Sequence, residues 1–424
     1  MNSVLYNPDK LMTDRPLFHN RRVCVVGCGA VGSYLIEQLA KMGASPDAVD
    51  FDVLTLENAA KHGSLIRTPE DAGRNKAVCV SERVKPFLDQ GCTSHGIDSD
   101  LCLLGPEAFA DYDVVFAALD NFAAKVLLNE LIRQLPPERR PLLIMDGTYG
   151  EMAQSVMLDN TEFCLRCLMD ESWLKDSAVR TSCTSAPIRQ NDGLAPIVRT
   201  SARASSLAAH LSTEQYRGYV TGAPGAMNRR LTYTAYPGLE LRVSHPLPKR
   251  NCPGCAIQPP AHLRWLRGSV LTVSLREAMQ QISEQLGTTD FELSVHRLHY
   301  KEVLHSCFIV TEYCRACGKP IRVLKHAGRT FPHHLLCLEC NLHGKQPYLT
   351  SDLPRTLLYA FTPSCEDAIQ DMTLFDLGYP LGAHIEVIER QGAFDLLDRD
   401  KIKTTFFALD EDHCQMRQIQ KLSF

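Results

Sequence analysis

The sequence predicts an α/β protein, with a doubly wound, largely parallel sheet in its first part and a separate α+β unit behind it. Three observations predict this. Short apolar runs alternate with helical stretches between residues 22 and 146. A glycine-rich turn joins the first of those runs to the first helix. Four CxxC pairs are divided two and two between the earlier and later parts of the chain.

Residues 22–27 (RVCVVG) read as a short buried strand and 31–41 (VGSYLIEQLAK) as a helix stopped by Gly43. Residues 48–53 give a second strand, 74–88 a helix, 113–118 (DVVFAA) a strand, 121–134 a helix and 141–146 (PLLIMD) a strand. This alternation specifies a parallel sheet covered on both faces, with right-handed crossovers. Beyond Gly150, short β-like segments flank 152–158, and the polar, Ser/Thr-rich stretch 170–196 reads as a long exposed loop. Residues 197–211 are helical, 222–225 form a turn, and 231–236 alternate as a strand does. The proline-rich stretch 256–261 (AIQPPA) is the linker, so domains are expected at 1–259 and 260–424. In the second domain, 270–286 reads as a helix and 291–310 as strand-like runs. Residues 373–388 have the rhythm of a short helix, a glycine turn and a final strand, an ending found in ubiquitin-like folds.

The 424 residues suffice for two or three domains with a sizeable core. With 45 Lys+Arg against 49 Asp+Glu, charge makes no case for nucleic acid or an acidic membrane surface, and neither partner is expected. Residues 1–22 lack the apolar core of a secretory signal, and no apolar run approaches a membrane span. Eight of seventeen cysteines fall in CxxC pairs, which favours metal sites in a reducing, cytoplasmic setting over disulfides.

Gly27-Cys28-Gly29-Ala30-Val31-Gly32 is GxGxxG placed between a strand and a helix. Glycines let the backbone approach a pyrophosphate, and the helix N-terminus offers free N–H donors. Asp50, eighteen residues past Gly32, ends the next strand, where a carboxylate can accept from ribose hydroxyls. These features suit NAD as well as ATP and define a Rossmann-like sheet. Asp52, Asn58, Lys61 and Lys76 follow, then Asp120-Asn121 at a later strand end. Two lysines beside a nucleotide pocket suit a triphosphate, and Asp120 is placed to hold Mg²⁺. Taken singly, each lysine reads as an ordinary solvated side chain. No GxxxxGK[ST] sequence is present, which excludes an ordinary P-loop NTPase.

This ordered set resembles the adenylation domain of the ThiF/MoeB/ubiquitin-activating family over roughly the first 255 residues. The resemblance implies that Gly29, Asp50, Asn58, Lys61, Lys76 and Asp120 bind or polarise ATP. Lys61 stands where the family usually has Arg, which keeps the charge and loses the bidentate fork. The family's N-terminal Arg, which reaches across a dimer to the phosphates, sits in a motif with no match here, leaving Arg15, Arg21 and Arg22 as candidates. The implied reaction is ATP-dependent adenylation of the C-terminal glycine carboxylate of a ubiquitin-like β-grasp protein. Thioester formation on a loop cysteine and transfer to a conjugating enzyme would follow, in a homodimer. A MoeB/ThiF-like sulfur-carrier adenylyltransferase shares the first half. A noncatalytic adaptor that binds a β-grasp protein is a further reading. An NAD oxidoreductase is disfavoured by the Asn58-Lys61-Lys76 set.

Cys164 and Cys167 (FCLRC) with Cys252 and Cys255 (NCPGC) form two knuckles, and four such thiolates make a closed tetrahedral zinc site. The resemblance implies that the long gap between them closes in the fold. Cys314, Cys317, Cys337 and Cys340 have zinc-ribbon spacing over 314–340, for a second structural Zn²⁺. Cys183, in the polar loop beside Arg180 and Arg189, is the candidate nucleophile. The family carries its acceptor cysteine in this loop; the competing reading is a bystander thiol. Cys24, Cys28 and Cys79 read as structural.

Overall fold

The structure, a computed structural model, describes residues 15–19, 21–56, 63, 65–66, 70–101, 104–120, 122–161, 163–169, 201–235, 238–250, 252, 254–255, 260, 262–294, 308–313, 319–326, 356–358, 360–389 and 403–412. The chain divides into two compact units. The first comprises residues 1–101, 109–259 and 418–424, and the second 102–108 and 260–417.

The first unit is built on an eight-stranded sheet. Its strands are β1 (Arg22–Val26), β2 (Ser45–Asp50), β3 (Gly96–Asp98), β4 (Val114–Ala117), β5 (Leu142–Tyr149), β6 (Met152–Leu158), β7 (Arg230–Thr234) and β8 (Glu240–Ser244). The order is β3-β2-β1-β4-β5-β6-β7-β8. The first five pair in parallel, with Val25 opposite both Ala48 and Phe116. The last three add antiparallel to that set. The parallel part is consistent with a Rossmann-like sheet, while the antiparallel extension begins at a tight hairpin whose Gly150 has φ +57°. Among the described residues, its α-helices are α1 (Arg15–Phe18), α2 (Ala30–Lys41), α3 (Lys76–Val84), α4 (Phe122–Arg133) and α5 (Ala202–Val220).

Its core joins Val23, Val25, Leu35, Leu39, Phe116 and Ile144, all fully buried. Each such side chain contributes roughly 1.5–3 kcal/mol through burial. Tyr216 of α5 seals the core, with Phe18 at 5.4 Å and Phe116 at 5.9 Å in edge-to-face contact.

Several boundaries differ from the sequence reading. Strand β2 starts at Ser45, because polar Asp47 is buried with its own partners: His95 N–H at 2.9 Å and the Tyr112 hydroxyl at 2.9 Å. Strand β3 is three residues long, too short to carry a periodic signal. Helix α3 stops at Val84, where Pro86 turns the chain into a 3₁₀ segment. Helix α5 begins at the Ser201 cap and runs well past Leu211. Its buried Ser212 and Gln215 reach partners on β6 and at Arg229, so polarity there does not mark an end.

The second unit is α+β. A five-stranded sheet has the order β14-β10-β15-β16-β9, and a three-stranded one β12-β11-β13. Its strands run β9 (Leu263–Leu266), β10 (Phe291–Ser294), β11 (Phe308–Tyr313), β12 (Pro320–His326), β13 (Thr356–Leu358), β14 (Ala360–Phe361), β15 (Ile385–Glu389) and β16 (Lys403–Leu409). Helix α6 (Leu275–Leu286) is bounded by a Ser274/Glu277 capping box and by Gly287 at φ +70°. Four residues of the expected helix, 270–273, thus precede the cap. Residues 373–378 form turns in place of the expected short helix, and the expected strand follows as β15. Residues 102–108 group with this unit, where Gly105 N–H donates to the Leu381 carbonyl at 2.6 Å. Among the described residues, no helix is long and apolar enough to cross a membrane.

Candidate nucleotide site and four-cysteine centre

The glycine turn lies at the C-terminal edge of the parallel strands, where open α/β sheets take their ligands. Its three glycines have different reasons to be glycine. Gly27 has φ +93°, and a Cβ there would meet the Ala118 carbonyl oxygen at 2.5 Å. A Cβ on Gly32 would meet the Gly27 carbonyl oxygen at 1.9 Å, so Gly32 lets α2 pack against the turn. A Cβ on Gly29 would meet nothing within 4 Å. Gly29 thus borders open space, and as N-cap of α2 it supplies no side-chain cap. The first-turn N–H groups of α2 are left for another acceptor.

Asp50 latches this turn to the end of β2. Its Oδ2 accepts from Cys28 N–H at 2.7 Å and its Oδ1 from Asp52 N–H at 2.8 Å. Burial pushes its carboxyl up, against the opposing charge of Lys76 and these N–H groups. Each oxygen keeps a further lone pair for a hydroxyl. Lys76 is 4% exposed, and its Nζ donates to Asp52 Oδ2 at 2.8 Å. A buried lysine at the first helical position needs its helix end fixed, and Asn75 fixes it. The Asn75 side chain caps Val78 N–H at 3.1 Å and donates to the Asp50 carbonyl at 2.9 Å. Asp120 is exposed, three residues past β4, on the segment whose Ala118 carbonyl abuts Gly27. Asn58, Lys61 and Asn121 lie outside the described residues, as does Cys183.

Asp146, near the end of β5 and beside the end of β4, is 5% exposed. Burial pushes its carboxyl up to about 6, with Lys125 opposing. Lys125 Nζ donates to the Asp146 carbonyl, and Asp146 Oδ2 has no partner among the described residues.

The two cysteine knuckles do meet. The Sγ atoms of Cys164, Cys167, Cys252 and Cys255 lie within 4.8 Å of one another. Cys164–Cys255 and Cys167–Cys255 are 3.4 Å apart and Cys164–Cys252 3.6 Å. A zinc tetrahedron with 2.3 Å bonds has edges of about 3.8 Å, so the four thiols fit a zinc ion. A Cβ on Gly254 would meet Cys164 Sγ at 2.8 Å, so the second knuckle needs glycine there. Burial and the neighbouring thiols push Cys164 up, and burial pushes Cys255 up to about 12. Cys167 is held down in spite of burial, by N–H groups of Lys249 and Cys164. Four thiols this close can serve as the thiolate ligands of one cation. The ribbon cysteines Cys314, Cys317, Cys337 and Cys340 lie outside the described residues.

Residues 15–313, well over half of the chain, match the ThiF family. The chain belongs to the ThiF family. The match continues past residue 255, where the resemblance read from sequence ended, into the second unit. Among relatives, SUMO-activating enzyme subunit 2 of Dictyostelium discoideum is 28% identical over 149 residues, 34% of this chain and 22% of that protein. The tRNA threonylcarbamoyladenosine dehydratase of Haemophilus influenzae is 33% identical over 130 residues, 29% of this chain and 46% of that protein. The ATP-dependent ubiquitin transferase-like protein Cap2 of Vibrio cholerae is 28% identical over 155 residues, 35% of this chain and 26% of that protein. The matched region thus spans less than half the length of each of these relatives.

In this ThiF-family chain the three N-terminal arginines are committed away from the glycine turn. Arg15 makes a two-pronged bond to Asp89, at 2.8 and 2.5 Å, and its carbonyl abuts Gly43, beyond the far end of α2. A twelve-residue helix separates the two places by about 18 Å. Arg21 binds Asp113 at 2.8 Å, and Arg22 stacks 4.9 Å over Tyr112. Both precede or begin β1, roughly 13 Å of strand from the turn. Sequence reasoning passed over Asn75 and Asp146. An asparagine directly before a helix is a cap signal and identifies Asn75; Asp146 carries no local signal.

Proposed function

We propose that this chain is an adenylating enzyme that uses ATP and Mg²⁺ to activate the C-terminal glycine carboxylate of a ubiquitin-like β-grasp protein. The observation that carries the reading is the latch of Asp50 on the glycine turn, with the buried Lys76 beside it. ThiF-family membership supports it. The turn and the uncapped start of α2 would receive the phosphates, and Asp50 and Asn58 the ribose. Lys76, with Lys61, would neutralise the departing pyrophosphate. Gly27, Gly32, Asp52 and Asn121 would shape and support this pocket. Asp120 would hold Mg²⁺, whose charge offsets that of the phosphates. A carboxylate oxygen attacks the α-phosphorus, the bond to the bridging oxygen breaks, and pyrophosphate leaves. The Cys183 thiolate then attacks the acyl carbon, AMP departs, and a thioester forms. A conjugating enzyme's cysteine would take the acyl group next. We infer a homodimer, structural zinc in both four-cysteine sets, domains at 1–259 and 260–424, and action in the cytoplasm.

A second reading stops after adenylation and feeds sulfur-carrier chemistry. The relative named adenylyltransferase and sulfurtransferase MOCS3, of Caenorhabditis briggsae, favours keeping it. The test is ATP–pyrophosphate exchange with β-grasp partners, alongside non-reducing gels of wild type and Cys183→Ala. A thiol-sensitive adduct that vanishes in the variant supports thioester transfer. Exchange without an adduct supports the second reading. ATP binding without exchange for any partner sinks both and leaves an adaptor.

A further inference from the structure

Helix α4 ends against both cysteine knuckles, and its last turns reach each of them. Asn129 Oδ1 accepts from Leu165 N–H at 2.9 Å. Glu130 pairs with Arg166, inside the first knuckle. Arg133 Nη2 donates to the Cys255 carbonyl at 2.7 Å, in the second. The other prong of Arg133 donates to the carbonyls of Asn160 and Thr161, both at 2.5 Å.

The charge of Arg133 is the unexplained feature. The residue is 1% exposed, and among the described residues all its hydrogen bonds go to carbonyl oxygens. Arg140 lies beside it and donates to the carbonyls of Leu135, Asn160 and Arg133, at 2.7, 3.0 and 2.8 Å. Two cations therefore converge on the one carbonyl of Asn160. Burial, and then the charge of Arg133, push the Arg140 guanidinium down to about 10, against the opposing charge of Glu138. Arg140 is only partly buried, but a buried cation such as Arg133, with no carboxylate hydrogen-bonded to it among the described residues, is costly. The four-cysteine centre can provide an anion: four thiolates around one Zn²⁺ carry a formal charge of about −2.

We propose that Arg133 and Arg140 balance the charge of the zinc-loaded four-cysteine centre, and that Arg133 is the positioning residue fastening its second knuckle to α4. The arginines touch no sulfur; they act through the backbone that presents the ligands. The loaded centre sets a net negative charge beside them, so the arginines favour the loaded state over the stripped one.

The inference rests on zinc at this centre, so zinc content is measured first. The zinc that disappears in Cys252→Ser identifies the metal of this centre. Absence of that zinc from the wild type overturns the proposal. Thermal unfolding of wild type and Arg133→Met is then followed with zinc loaded and after chelation. The expected outcome is a melting-temperature loss that is large when loaded and small when stripped, with zinc affinity about 10–100-fold weaker. Arg133→Lys, which keeps charge and loses the fork, recovers part of that affinity. Equal losses in both states with unchanged affinity, or a lysine variant no better than methionine, overturn the proposal. If Arg133→Met does not fold, Arg140→Gln carries the same comparison, with a smaller coupling of the same sign expected and none overturning the idea.

Discussion

At the glycine turn, Gly29 borders open space and the first turn of α2 has no side-chain cap. At the cysteine centre, by contrast, Gly254 has no room even for a Cβ, and α4 reaches both knuckles. The first region keeps donors unspent and groups such as Asp50 and Asp146 at raised pKa. The second packs its thiols to metal-binding distance and ties its knuckles to α4, although Asn129 Nδ2 and Arg133 Nε have no partner among the described residues. A region that must admit and release a nucleotide has to leave surfaces unsatisfied. One that staples the fold gains by packing its ligands closely enough to share one metal.

The largest effect tests the closed end. Removing zinc from the Cys164–Cys167–Cys252–Cys255 set, by chelation or by Cys252→Ser, is expected to remove stability on the order of 10 kcal/mol, the scale of a structural zinc site. Calorimetry with and without chelator measures it. An unchanged melting temperature would show that the thiols need no metal, and the contrast between the two regions would collapse. Next in size is the open end. Lys76→Met is expected to slow ATP–pyrophosphate exchange by roughly 10²–10³-fold, the usual loss for one electrostatic group. Its partner Asp52 is 43% exposed, so the broken ion pair takes little stability with it. Wild-type exchange rates in Lys76→Met would refute the assignment.

The glycines sharpen the comparison within one motif. Gly32→Ala is expected to destabilise by about 3 kcal/mol, because its Cβ would have to displace the Gly27 carbonyl. Gly29→Ala should stay within about 1 kcal/mol of wild type and lose nucleotide affinity, since its methyl enters open space. Paired urea unfolding and nucleotide titration separate the two. Equal destabilisation would mean that Gly29 is as structural as Gly32.

What could be read from the sequence was what chain-local spacing encodes. The strand–glycine–helix junction, Asp50 at a strand end and Lys76 at a helix start are all set within a few residues of a turn. The CxxC pairs are equally local, and the resemblance supplied their long-range closure. Arg133 was invisible for the opposite reason: its partner Cys255 lies 122 residues away. The N-terminal arginines lie away from their own chain's glycine turn, a placement that composition cannot give because it does not tell one end of a sheet from the other. Ser45 and Asp47 hid the start of β2, since a buried carboxylate with His95 and Tyr112 as partners looks like loop in hydropathy.

The smallest effect lies on Asp146, where the open end touches its own sheet. The folded-state carboxyl is raised from 3.8 to about 6. A raised carboxyl contributes stability that is fully present below pH 4 and lost as pH climbs through about 6. At neutral pH the group therefore weakens the fold, with an upper bound of about 3 kcal/mol. Asp146→Asn is expected to stabilise the protein by roughly 1–2 kcal/mol at neutral pH and by less near pH 5. Urea unfolding at the two pH values measures this. If the same substitution slows pyrophosphate exchange, Asp146 is a strained group kept for function, as sites that leave donors and acceptors unspent require. If exchange is untouched while stability rises, the unsatisfied oxygen belongs to the sheet alone, and the open region stops short of β5.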